Sequence, residues 1–170
     1  VIEEKCFLDA TSIQKIILNA KTIFIKEESF KNCSSLKSIK IVSLKINSSQ
    51  NDDFDDDDEV IFSSYSYIEN IIIGNNAFEN SINLEEIYIT AENEVFMHDY
   101  CFFYNSKLKL VTIIAPQIHF GEYCFAKCSS LSFIPKATIS SMEQNSFKKT
   151  KALIKQIESQ EEIFNNTNLV

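Results

Sequence analysis

The chain has 170 residues, 45% of them apolar, and a net charge of −8 at neutral pH, with no arginine among its 16 basic residues. That apolar share excludes disorder as the default. The acidic balance excludes the dominant basic stripe that nucleic acids or anionic membranes require. No run approaches the roughly 20 apolar residues that span a bilayer as a helix.

Taken in chain order, the predicted elements repeat. Val1 and Ile2 precede Phe7, which is followed by Ile13, Ile16 and Leu18. Ile23 and Ile25 then precede Phe30, Leu36, Ile39 and Ile41 within "ESFKNCSSLKSIKI". After an acidic run, Ile71 to Ile73 lead into Phe78, Leu84, Ile87 and Ile89 within "NAFENSINLEEIYI". Val95 to Met97 lead into Phe102, Leu108, Val111 and Ile113, and Ile118 and Phe120 into Phe125, Leu131 and Ile134. Phe147 and Leu153 close the series. The phenylalanines are spaced 23, 48, 24, 23 and 22 residues apart, and the double interval divides at Phe54. The spacing therefore predicts about seven units of ~23 residues, the third of them degenerate.

Within a unit, a segment such as "LKSIKI" alternates apolar and polar with period two, which predicts a strand. A unit this short cannot bury its apolar side alone, so successive units stack and their equivalent strands pair in parallel, about 4.8 Å apart. The expected organisation is one solenoid over residues 1–170, with an acidic loop at 48–60 inside the degenerate repeat. Both ends fall in mid-unit, so a segment of a longer array is expected, with "TKALIKQIESQEEIF" as a partial cap.

"SFKNCSSLKSIKI", "AFENSINLEEIYI" and "CFAKCSSLSFI" resemble the BspA-type leucine-rich repeat, whose pattern runs Ala/Ser-Phe, Cys, Ser-Ser-Leu, then Ile-x-Ile. The resemblance covers nearly the whole chain and is weakest in the acidic region. The family usually places Pro after the strand and Gly in the turn before the Phe; here only Pro116, Pro135, Gly74 and Gly121 stand near those places. The resemblance implies a leucine-rich-repeat solenoid with a parallel β-sheet on its concave side and short strands, turns or single helical turns elsewhere. It also implies a binding role, commonly at cell surfaces in adhesion or host contact.

Residues with chemical potential fall into repeat columns. Cys33 and Cys128 share the column three after Phe; Cys6, Cys101 and Cys124 share the one just before it. Stacked cysteines are expected to pack as small apolar groups, and a Cys101–Cys124 disulfide in adjacent repeats stays open in an oxidising compartment. His98 and His119 belong to no motif, and no catalytic, cofactor or metal site is expected. The run Asp52 to Glu59 lacks the alternation and Gly of a calcium loop. It reads as a solvated loop, with weak cation binding or contact with a basic partner as alternatives.

The outward strand positions, eight and ten residues after Phe, include Lys40, Glu86, Tyr88, Leu110, Thr112 and Phe133. Tyr88, Leu110 and Phe133 would form an apolar stripe, and clustered exposed apolar groups mark interaction sites. These six residues are the candidate contacts with a protein partner. The expected function is a non-catalytic protein–protein interaction module, with a structural solenoid subunit of an intracellular assembly as the alternative.

Overall fold

The computed structural model describes residues 1–43 and 70–150, with the side chains of 132–138 outside that description. Eight strands form: β1 (Lys15–Asn19), β2 (Ile23–Ile25), β3 (Ser38–Val42), β4 (Ile71–Ile73), β5 (Glu86–Thr90), β6 (Glu94–Met97), β7 (Leu110–Phe120) and β8 (Ser132–Met142). All pairings are parallel, and they lie on two faces of one solenoid. β1, β3, β5 and the first half of β7 pair in that order on the first face. β2, β4, β6 and the second half of β7 pair on the second. β7 runs through the corner between the faces, and β8 follows it on both sides of that corner. Its ladder is irregular between Ile114 and Gln117, where Pro116 has no N–H to donate and so fits an interrupted ladder.

Side-chain alternation decides which residues enter the core. On the first face Ile16, Ile39, Ile87 and Val111 form one buried column, and Ile41, Ile89 and Ile113 the next. The second face contributes Ile23, Ile71, Val95 and Ile118, then Ile25, Ile73, Met97 and Phe120. Leu36, Leu84, Leu108 and Leu131 close the coil from the corner before the first strand. The phenylalanines fill the space opposite the sheets. The rings of Phe7, Phe30, Phe78, Phe102, Phe125 and Phe147 stack in a column with successive centroids 4.9, 5.1, 5.1, 5.0 and 5.4 Å apart. That spacing follows from the rung separation of a parallel sheet, about 4.8 Å.

The stack sets the order of the described rungs. Phe30 lies directly on Phe78, and β3 pairs directly with β5. An intervening coil would separate them by two rungs, about 9.6 Å. Six rings, from Phe7 to Phe147, therefore stack in succession among the described residues. At the corner between the faces, residues 20–22 connect β1 to β2 and residues 91–93 connect β5 to β6. Phe54, the expected acidic loop at 48–60 and the run Asp52 to Glu59 lie outside the described residues.

The third side of each coil is neither a strand nor a helical turn. Residues two before and two after every stacked Phe have positive φ: Lys5 and Asp9, Glu28 and Asn32, Asn76 and Asn80, Tyr100 and Tyr104, Tyr123 and Lys127, Asn145 and Lys149. Such a conformation costs roughly 1–2 kcal/mol for a residue other than Gly, least for Asn and Asp. The compensation is a third ladder of backbone hydrogen bonds between coils. Glu28 N–H donates to Asn75 O at 3.0 Å, Phe30 N–H to Ala77 O at 2.8 Å, and Asn32 N–H to Glu79 O at 2.9 Å. The next coil repeats the set at Asn76, Phe78 and Asn80. Without the left-handed residues these N–H groups would turn away from the neighbouring coil and stay unpaired, a loss of about 1–3 kcal/mol for each buried group.

Neither glycine serves this purpose, since neither has positive φ. Both stand four residues before Phe and permit close approach of backbones. A Cβ on Gly74 would lie 2.9 Å from Ile25 O, and one on Gly121 would lie 2.6 Å from His98 C.

Candidate interaction surfaces

On the first face, strand register sorts the candidate contacts into rows. Ile17, Lys40, Tyr88 and Thr112 are successive partners in one row. Ser38, Glu86, Leu110 and Ser132 are successive partners in the other. Tyr88 and Leu110 are diagonal neighbours, each a little under two-fifths exposed, and Ile17 is half exposed. Lys40 Nζ lies 5.9 Å from the Tyr88 ring centroid, a cation–π arrangement that holds the ring against the sheet. Glu86 is exposed and Thr112 half-buried. Phe133 pairs by register with Val111 and not with Leu110. The structure thus brings Lys40, Glu86, Tyr88, Leu110 and Thr112 onto one surface, places Phe133 one register position away, and adds Ile17 at the near edge.

The second face carries an outward row that period alone did not reveal. Phe24, Ile72, Phe96, His119 and Ser141 are successive partners. His119 stacks on Phe96 with centroids 4.3 Å apart, and its Nδ1 is 2.8 Å from Ser141 Oγ. His119 is thus a packed aromatic member of the row. The signal was present in the sequence: the middle residue of each three-residue apolar segment before the Phe is itself large or aromatic.

The cysteine columns are occupied as stacked positions. Cys33, Cys101, Cys124 and Cys128 are buried and Cys6 is exposed. Cys33 Sγ donates to Phe7 O at 3.3 Å and Cys128 Sγ to Phe102 O at 3.2 Å. Ser81 and Asn105, in the same column, donate to Phe30 O and Phe78 O. This column is therefore a line of side-chain donors to the Phe carbonyl of the preceding coil, a role beyond that of a small apolar filler. Cys101 and Cys124 share a thiol–thiol hydrogen bond at 3.1 Å and form no disulfide. Burial pushes the Cys128 thiol up to about 12 and raises Cys124 well above its ordinary value. Both stay protonated at neutral pH and are poor nucleophiles and poor metal ligands. Among the described residues no group of three or more His, Cys, Asp or Glu converges to hold a metal, and no helix is long and apolar enough to cross a membrane.

The turn edge differs along its length. In the first coils it is polar. Lys31 Nζ lies 2.9 Å from Glu28 and 3.1 Å from Glu79, and Lys5 lies 3.6 Å from Glu28. Asn32 donates to Asp9 at 2.8 Å, and Asn80 donates to Asn32 at 2.9 Å. The Lys31 hydrogen bond holds the Glu28 carboxyl below its ordinary value, and the same bond raises Lys31. In the later coils the edge is aromatic and cationic. Tyr100 stacks on Tyr123 at 5.1 Å and meets Phe103 edge-on at 5.4 Å. Lys127 Nζ lies 4.8 Å above the Phe103 ring and Lys148 Nζ 5.4 Å above Tyr123. Sequence reasoning missed this cluster, although Tyr100 and Tyr123 stand one period apart.

The sequence model of the family described as BspA type leucine rich repeat region (6 copies) matches residues 1–60 and 61–169. No curated protein and no solved structure matches the chain. With the family matched over almost its whole length, the chain belongs to the BspA-type leucine-rich-repeat family.

Proposed function

From membership of the BspA-type leucine-rich-repeat family, we propose that this chain is a non-catalytic protein-interaction module whose first face meets a protein partner. Leucine-rich-repeat proteins commonly bind other proteins, and the family resemblance favours recognition or adhesion at a cell surface. The observation that carries the reading is the exposed set Ile17, Lys40, Tyr88 and Leu110 on a rigid parallel sheet. Exposed apolar and aromatic groups on a backbone that is already ordered bind at low entropic cost.

The test is site-specific photo-crosslinking from position 88, compared with position 107 on another side of the coil, in an extract of cell-surface proteins. A specific adduct from position 88 alone is expected. Affinity for that protein then falls about 100-fold in Tyr88→Ser/Leu110→Ser, the loss of two central contacts. Unchanged affinity in the double variant, with the circular dichroism retained, sinks the first-face reading.

A second reading, a solenoid subunit inside an intracellular assembly, is motivated by cysteines that stack in repeat columns and donate to backbone carbonyls as thiols. Titration of the denatured native protein separates the two. Five reactive thiols support the intracellular reading, and three support an oxidising compartment with Cys101 and Cys124 joined.

A further inference from the structure

We propose that the aromatic edge formed by Tyr100, Phe103 and Tyr123 with Lys127 and Lys148 is a second binding site, separate from the first face, for an acidic peptide segment. These residues and Ala126 line an open cleft of about 320 Å³, room for one or two peptide side chains. Three features select the ligand.

The first is charge. In a chain of net charge −8, Lys5, Lys26, Lys31 and Lys109 are paired with carboxylates. Among the described residues, Lys127 and Lys148 have ring faces beneath them and no carboxylate within ion-pair reach. Lys149 adds a third ammonium to the rim of the cleft. An ammonium over a ring keeps its remaining N–H groups for another acceptor.

The second is the orientation of the rings. Tyr100 and Tyr123 occupy each other's faces, and Lys127 and Lys148 cover faces of Phe103 and Tyr123. Stacking of bases or sugars needs open faces. Each of these contacts takes a ring face, and beside them the cluster offers ring edges, which carry the positive end of the quadrupole, together with hydroxyl and ammonium donors. All of these attract carboxylates.

The third is the surrounding acidity. Glu122, Asp99 and Glu79 lie near Tyr100 and, after burial, help to raise its hydroxyl above the ordinary value. With the net charge they repel an extended polyanion, while a short segment can place its carboxylates over the lysines and an apolar side chain in the cleft.

The probe is a fluorescein-labelled Glu-Leu-Glu-Asp-Leu-Glu peptide, titrated with the whole chain and followed by anisotropy. Saturable binding is expected, weakened about tenfold by Lys127→Gln/Lys148→Gln and by the Gln/Asn version of the peptide. Tyr88→Ser/Leu110→Ser is expected to leave it unchanged, which separates this site from the first face. Amide shifts of the unmodified chain on peptide addition are expected at Tyr100, Phe103 and Tyr123. The proposal is overturned by absent saturation, by equal binding of the amide peptide or the lysine variant, or by shifts confined to another face. Preferential binding of dT12 or of phosphatidylserine vesicles overturns it equally.

Discussion

The turn edges of the early and late coils share one backbone and carry opposite kinds of side chain. In both regions the residues two before and two after Phe have positive φ, and in both, N–H groups such as those of Glu28, Asn32, Tyr100 and Tyr104 donate to the next coil. The early coils fill those positions with Glu28, Asn32, Asn76 and Asn80, and the edge becomes a ladder of amides and ion pairs closed on itself. The late coils fill them with Tyr100, Tyr104, Tyr123 and Lys127, and the edge becomes an aromatic cleft with ammonium groups over its rings. The lesson is that in this solenoid the interior columns and the backbone ladder set the shape, while the edge is free to differ. An interaction site can therefore be written into one region at little cost to the coil that carries it.

The part both regions share should be the most sensitive. Phe102→Ala removes a fully buried ring between two others and is expected to cost about 3–5 kcal/mol. Phe7→Ala, at the end of the stack where the ring is two-fifths exposed, should cost less than about 2 kcal/mol. Equal losses in chemical denaturation would show that the stack is not what holds both edges in place.

The two glycines grade the closeness of the coils. Gly121→Ala drives a Cβ into the backbone of His98 and Asp99, a tighter approach than Gly74→Ala makes to Ile25. Overpacking of this kind costs about 1–3 kcal/mol, with the larger loss expected at Gly121. A reversed order of melting temperatures would contradict the closer approach in the late coils.

Alkaline pH separates the equivalent thiols of the two regions. Cys128 is raised to about 12 from an ordinary value of 9.0, chiefly by burial; Cys33 is raised by the same cause. Between these values the unfolded chain loses a proton that the folded chain keeps, so stability is present below pH 9 and falls as pH rises towards 12. The slope is about 1.4 kcal/mol per pH unit for one thiol. Cys128→Ala should flatten that limb of the stability curve, and an unchanged slope would refute a protonated buried thiol there.

The smallest effect sharpens the comparison itself. Lys31→Gln, which breaks the early ion-pair ladder, is expected to cost about 0.2–1 kcal/mol at low salt and less in 1 M salt. Lys127→Gln, which removes an ammonium from two rings, should cost a similar ~0.5–1 kcal/mol. Binding of the acidic peptide should weaken in the second variant and not in the first.

Much of the fold is legible in the spacing of single residues. Among the described residues, the Phe column from Phe30 to Phe147, the leucines from Leu36 to Leu131 and the Ile pairs from Ile39 onward enter the core where the repeat puts them, while Phe7, Ile13 and Leu18 of the first coil are only partly covered. The outward positions of β3 and β5 are legible too, since alternation with period two fixes which strand residues face outward, whereas Phe133 pairs by register with the buried Val111. The second outward row and the aromatic edge were harder to read. Three-residue segments such as Ile71–Ile73 show no alternation, and Tyr100 and Tyr123 become neighbours only once their coils stack.

The sequence by itself determined the repeat and the identity of the buried columns, because covalent spacing along one chain sets both. Only the tertiary structure decided that Phe30 stacks on Phe78 and that Phe133 shares a register position with Val111. It also decided that non-glycine residues hold the left-handed turns. Each of these depends on which backbones meet across a rung. Neighbouring coils select it through hydrogen bonds and ring contacts between residues 21 to 51 positions apart.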